Sequence, residues 1–286
     1  MYEEIRGTFE AVEKRPQPVH RLVFSDLHKA YTETGGTSFA LKYVARGRVI
    51  HRYGAKQHVV QAGQFICVPS NVAGELEVPK SGGSSMIGIC AFMPMPEAPH
   101  WMADGAIEQP LTFSASSSRV GQMLQSAISD LRRPAPGRTG RAEAVLAALR
   151  SGLEPLLEET LSNIDALPAV RTSTRYELLR RLNLARGHLH DVTDRAVGIA
   201  ELARVSGISQ FELLRNFRRC FGAPPATYHR RLRLRLAMRQ VEREALTCAQ
   251  AAQTFGFADG SSFSHAYRRA FGAAPVRSLN TGVGGD

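Results

Sequence analysis

The chain predicts a multidomain α+β protein: an antiparallel β domain at residues 1–114, a helical connector at 115–168, and an all-α domain with two helix-turn-helix units at 169–286. Three observations carry this reading. Short β-forming runs separated by turns fill the region from Val19 to about Met93, and the apolar period then lengthens to that of a helix. The last third contains one helical pattern twice, offset by 49 to 50 residues. A length of 286 residues, at about 100–200 residues per domain, fits two domains and a connector.

In the first region, Val19-His-Arg-Leu-Val-Phe24 is rich in β-formers, and Phe39, Leu41 and Tyr43 alternate with smaller or polar residues. Further runs follow at 48–53, 56–60, 64–68, 75–78 and 85–92. They are punctuated by Gly54, Ala62-Gly63, Pro69-Ser-Asn71 and Gly82-Gly83. Six or seven such strands predict an antiparallel sandwich or small barrel.

The connector begins at the serine cluster near Ser114. Val120, Met123, Leu124, Ala127, Ile128 and Leu131 form one apolar stripe of a helix that Pro134 stops. A second helical stretch carries Val145, Leu149, Leu153, Leu156, Leu157, Leu161 and Ile164, and Pro155 is expected to kink or restart it. This pair could cover the β domain or pair with a second chain. Val120, Met123, Leu124, Ile128 and Leu131 are the candidates for dimerisation.

The repeat superposes Ile199–Gly207 on Cys248–Gly256 and Leu213–Gly222 on Phe263–Gly272. Two copies are too few for a solenoid and describe a duplicated supersecondary unit. Gly207 and Gly256 supply the left-handed residue that ends a first helix, and Thr247 with Gln250 has capping-box spacing. In the second helix of each copy, Leu213 and Phe217, matched by Phe263 and Tyr267, face inward. Phe211, Leu214, Arg215 and Arg218, matched by Ser261, Ser264, His265 and Arg268, face outward.

Charge follows the same division. Residues 1–170 hold 17 Lys+Arg against 17 Asp+Glu, whereas residues 171–286 hold 19 against 9, and all 19 are arginine. The net +10 therefore belongs to the repeat. Guanidinium groups stay charged at physiological pH and bind phosphate and guanine edges bidentately, so a polyanionic partner is expected. The four cysteines (67, 90, 220 and 248) are widely spaced, without a CxxC pair, and read as reduced, packed thiols. The longest apolar run, Met86–Met93, is far below the roughly 18–20 residues of a membrane span, and residues 1–13 carry four glutamates and no signal-peptide core. A cytoplasmic protein with no membrane association is expected.

Residues of about 172 to 278 resemble the DNA-binding domain of AraC/XylS-type transcriptional regulators. The resemblance rests on the combination of Ile199–Gly207, Phe211–Gly222, Gly256-Phe-x-Asp-x-Ser-x-Phe263 and the repeated Phe-Gly-x-x-Pro at 221–225 and 271–275. It implies a joining helix over 228–242, with Leu232 and Leu236 on an apolar side and Arg230, Arg231, Arg233 and Arg235 on a basic one. It implies a double-stranded DNA operator as partner, a homodimer, RNA polymerase contact if the protein is an activator, and a small-molecule effector. Base-contact candidates are Gln210, Phe211, Leu214, Arg215, Ser261, Ser264 and His265. Phosphate-contact candidates are Arg218, Arg230, Arg231 and Arg268. The family usually has polar residues where Phe211 and Leu214 stand, and Leu214 either meets a thymine methyl or packs inward.

The β region resembles, more loosely, the cupin-like effector domain common in these regulators, chiefly through Gln61–Pro69. Arg46, His51, Tyr53 and His58 are the effector-pocket candidates, with ordinary solvated strand residues as the alternative. The competing functional class is a cupin-type metal-dependent enzyme with an accessory helical domain. That pattern needs an HxH pair, a following glutamate and a later histidine, which this segment lacks, and His188 and His190 sit two apart on a helix and point to different sides. No catalytic residue, metal or cofactor is expected, and Trp101 is assigned to neither a cap nor a ligand contact.

Overall fold

The computed structural model describes residues 1–11, 20–34, 38–70, 72–80, 84–93, 109–132, 137–243, 246–272 and 275. Trp101, Pro134 and Gly82-Gly83 lie outside them. The chain divides into two compact units, Met1–Gly187 and His188–Asp286.

Among the described residues, nine strands build the first unit: β1 Tyr2–Ala11, β2 Arg21–Thr34, β3 Phe39–Arg46, β4 Arg48–Tyr53, β5 Lys56–Gln61, β6 Gln64–Val68, β7 Gly74–Val78, β8 Met86–Met93 and β9 Leu111–Ser114. They pair in the order β5-β4-β7-β2-β8-β3-β6-β9. The long β2 is shared, its first half pairing with β8 and its second with β7. β5 also lies against β3 and β6, which makes the sheet barrel-like. Alternation sets its interior: Ala40 and Val44, Val49 and Tyr53, Val60, Ile66 and Val68, and Val78 share one buried cluster.

Two strands were not expected. β1 pairs with β2 in parallel, an exception in an otherwise antiparallel sheet, and places Ile5 and Phe9 against the interior cluster. Its glutamates and arginine mask the alternation of an edge strand. β9 is only four residues long and runs straight into the serines assigned to a helix start.

Helix α1 spans Arg119–Arg132 and α2 spans Arg138–Ala166. Val120, Leu124, Ile128 and Leu131 are buried within this unit, and Met123 is half-buried. The stripe offered for dimerisation is thus packed inside its own chain, where α1 meets α2 and strands β3 and β8. Pro155 does not restart α2, which runs on through it. It stands on the exposed side, where a carbonyl deprived of its amide donor can be hydrated, while Leu153, Leu156 and Leu157 remain buried.

Helix α3, Thr172–Asp191, holds the boundary between the units, so its first 16 residues group with the β domain rather than with the repeat. The second unit continues with α4 Ile199–Ser206, α5 Gln210–Phe221, α6 Pro225–Glu242, α7 Cys248–Thr254 and α8 Gly260–Phe271. Among the described residues no helix is long and apolar enough to cross a membrane.

Candidate nucleic-acid interface and effector pocket

The two helix-turn-helix copies have the same local construction. In the first, α4 ends on Gly207 at φ 68°, and Ser209 caps α5 by accepting from the Glu212 amide. In the second, the Thr247–Gln250 capping box is present in both directions, Gly256 has φ 67°, and the Asp259 carboxylate accepts from the Ser262 amide at 2.6 Å. Gly222 and Gly272, at φ 73° and 78°, end α5 and α8 with amides bonded to Arg218 and Arg268 carbonyls. Helices α5 and α8 are therefore each delimited by short-range hydrogen bonds. Gly256 has an added constraint: a Cβ there would lie 2.2 Å from the Asp194 carbonyl oxygen.

The inward faces match the repeat. Leu213, Phe217 and Phe263 are fully buried, and Tyr267 is half-buried. On the outward face of α5, Gln210, Arg215, Arg218 and Arg219 are exposed. Phe211 is 75% and Leu214 44% exposed, so neither packs inward. Together with Pro224 and the three arginines they line a shallow hollow. The matching face of α8 exposes Ser261, His265, Arg268 and Arg269, with Ser264 half-buried and bonded to the Gly260 carbonyl.

Arg230, Arg231 and Arg235 on α6 are exposed. Arg233, expected beside them, is buried. It donates to the Phe255 and Gly256 carbonyls at 3.0 and 3.2 Å, and its guanidinium lies 5.0 Å from the Phe257 ring centre. It binds the exit of α7 to the joining helix and is no part of the basic outer side.

His188 and His190 are half-buried and bonded. His188 Nε2 lies 2.7 Å from Glu201, which Arg195 also grips with both terminal nitrogens. The Arg195 hydrogen bonds, then that of His188, hold the Glu201 carboxyl down to about 2. His190 Nε2 is 2.8 Å from the Tyr228 hydroxyl, and His229 Nε2 is 2.7 Å from the Val192 carbonyl. These contacts fasten the end of α3 and the following turn onto α4 of the first helix-turn-helix and onto the joining helix α6, a role invisible in the HxH spacing.

The effector-pocket candidates separate. Arg46 is exposed and donates to the Ser85 carbonyl at 2.9 Å and to the Ser85 hydroxyl. His51, Tyr53 and His58 come together inside the barrel-like sheet, where His51 pairs with His58 across β4 and β5. The Tyr53 hydroxyl is 3.4 Å from His51 Nδ1. Burial, and then the charge of Lys42, holds the His51 imidazole well below the ordinary histidine value. Lys42, which sequence reading passed over, is buried in the same interior, and burial lowers its ammonium from the usual lysine range. Its position two residues from Ala40 and Val44 on an alternating strand was the available signal. Among the described residues, no group of three or more His, Cys, Asp or Glu side chains could hold a metal ion.

A family model described as a helix-turn-helix domain matches residues 202–280. A protein named "Probable transcriptional regulator LumQ" from Photobacterium leiognathi is 30% identical over 128 residues, 43% of this chain and 52% of that protein. The match thus spans about half the length of that relative. Among solved structures, a transcriptional regulator with an AraC-type DNA-binding domain from Chromobacterium violaceum is 26% identical. It covers 34% of this chain and 87% of that one at a TM-score of 0.33. Unsaturated fatty acid bound wild-type ToxT from Vibrio cholerae strain SCE256 is 11% identical over 92% of this chain and 95% of that one, at a TM-score of 0.34. With its duplicated units capped and faced as described, the C-terminal part of this chain, over residues 202–280, is a helix-turn-helix domain.

Proposed function

We propose that the protein is a sequence-specific DNA-binding transcriptional regulator that responds to a small-molecule effector through its β domain. The observation that carries the first part is the pair of matched reader helices with exposed, arginine-bearing outer faces: Arg215, Arg218 and Arg219 on α5, and Arg268 and Arg269 on α8. Outward arginines at fixed positions on capped helices suit a duplex, with base edges read from the middle of the face and phosphates from its rim. Gln210, Phe211, Leu214 and Arg215 are the base readers of the first unit, and Ser261, Ser264 and His265 those of the second. Arg218, Arg230, Arg231 and Arg268 take phosphates. The joining helix has 18 residues, about 27 Å at 1.5 Å per residue, which suits readers in successive major-groove turns roughly 34 Å apart.

The effector reading is favoured by the buried polar cluster Lys42, His51, Tyr53 and His58, which a purely scaffolding domain would replace with aliphatic residues. A homodimer formed through the connector would use the groove between α1 and α2, lined by Met123, Val145 and Ala148, with Val120, Leu124 and Ile128 left inside the chain. RNA polymerase contact belongs to the reading if the protein activates, and no catalytic step does.

The test is selection of genomic fragments by the purified full chain, followed by salt titration of the best duplex. Arg215→Ala is expected to cost about 1–3 kcal/mol and relax preference at one base position. Arg230→Gln should weaken all duplexes alike and reduce the salt slope by about one. Enrichment of no common sequence, or an unchanged salt slope, would defeat the proposal.

A further inference from the structure

We propose that the barrel interior of the first unit binds a small molecule through an anionic carboxylate or phosphate head group, held by Lys42 together with His58, His51 and Tyr53. The proposal deepens the effector reading and rests on it. Register pairs His51 with His58, and Lys42 shares their interior face, near enough for its charge to act on His51. Lys42 stands between the interior residues Ala40 and Val44 on β3, opposite Cys90 of β8 and Ile66 of β6. His51 lies between the interior Val49 and Tyr53 on β4, opposite His58 of β5.

The chemistry of this set is one-sided. Lys42 is 4% exposed, and among the described residues no carboxylate is paired with it. Both ring nitrogens of His58 are buried without a hydrogen-bond partner. The carboxylate that bears on His58, Glu177, is already engaged by Arg180 and Arg181 at 2.8 Å. An ammonium in an apolar interior is costly unless something negative meets it, and a methionine of similar length would pack there at lower cost. The interior thus offers an ammonium with no carboxylate to meet it, an unpartnered imidazole at His58 and a hydroxyl whose recorded neighbour is His51 Nδ1, beside aliphatic Val49, Val60 and Ile66. Oxygen anions supply the missing acceptors, and an apolar remainder would meet the valines and isoleucine.

The experiment uses the full chain and thermal unfolding, with acetate, butyrate, cyclohexanecarboxylate and methyl phosphate as probes at constant pH and ionic strength. Each carboxylate is run beside its neutral primary amide. At least one anion should raise Tm by 2 °C or more, on the order expected for a ligand well above its Kd, while its neutral counterpart does not. Lys42→Met should raise the unliganded Tm by roughly 2–6 °C and lose the anion-induced shift. Lys42→Gln gives the same comparison should the methionine variant fold poorly, and His58→Gln should weaken the response several-fold. Amides as effective as acids, an anion shift that survives in both Lys42 variants, or no shift with any anion would overturn the proposal. Binding of the selected duplex is measured in parallel. An anion that binds at Lys42 yet leaves DNA affinity unchanged removes the effector reading and keeps the anion site; a neutral amide that alters DNA affinity does the reverse.

Discussion

Replacing Arg233 separates a buried structural arginine from the exposed arginines around it, which we propose take phosphates. Its guanidinium donates to the Phe255 and Gly256 carbonyls and covers the Phe257 ring. Arg233→Ala leaves two carbonyls without their donor, each costing about 1–3 kcal/mol when buried, and forfeits a cation–π contact of about 0.5–2 kcal/mol. Relief of the buried charge offsets part of this, because burial already lowers the Arg233 pKa. A net loss of about 2–4 kcal/mol follows. For a unit the size of His188–Asp286 this is a fall in Tm of roughly 10–25 °C. Arg233→Lys should recover only part, since an ammonium cannot present the planar fork to two carbonyls and stack on the ring. The assay is thermal unfolding of the full chain followed by near-ultraviolet signals of the C-terminal aromatics, with the DNA salt slope measured below the transition. Folded Arg233→Ala should keep the wild-type slope. An unchanged Tm combined with a slope reduced by about one would mean that Arg233 contacts phosphate, and the interior assignment would fail.

Three further outcomes follow from the geometry. Gly256→Ala combines a left-handed φ of 67° with a Cβ 2.2 Å from the Asp194 carbonyl, so it should cost more than the roughly 1 kcal/mol of strain alone; wild-type stability in urea would contradict this packing. Deoxyuridine in place of a thymine met by Phe211 or Leu214 removes one methyl, about 0.8 kcal/mol or three- to four-fold in affinity. That loss should vanish in the Phe211→Ala, Leu214→Ala double variant, and a loss of equal size in that variant would return both side chains to another partner. Burial lowers the pKa of His51, and of His58 and His229, from the ordinary histidine value. Near and below about pH 6.5 the unfolded chain therefore binds more protons than the folded one. Stability is full above that value and is lost as pH falls through it, by up to about 1.4 kcal/mol per pH unit for each group. Unfolding free energies that stay level from pH 7 to 5 would refute this.

Much of the second unit was legible in the chain because its determinants are local. The αL glycines, the Thr247 capping box and the inward Leu213, Phe217 and Phe263 act within a few residues of one another, and duplication stated each of them twice. The outward exposure of Phe211 and Leu214 was left open, since an apolar side chain on a basic face reads equally as packing or contact. In the first unit, alternation located β2 to β8 but missed β1, whose charged residues hide an edge strand, and β9, too short to show a period. The stripe on α1 was visible, but its partner was not: periodicity says that a face is covered and not by what.

By itself, the sequence determined the order of β and helical regions, the duplicated unit, its caps and the concentration of arginine upon it. Tertiary structure decided which charges are withdrawn from solvent. Arg233 turns inward while Arg230, Arg231 and Arg235 stay outside, and Lys42 with His51 and His58 enters the barrel while Arg46 remains at its rim. Caps and glycines act through bonds along the chain, whereas the environment of a lysine or arginine depends on which distant strand or helix closes over it, and that follows only once the sheet has curled and the helices have packed.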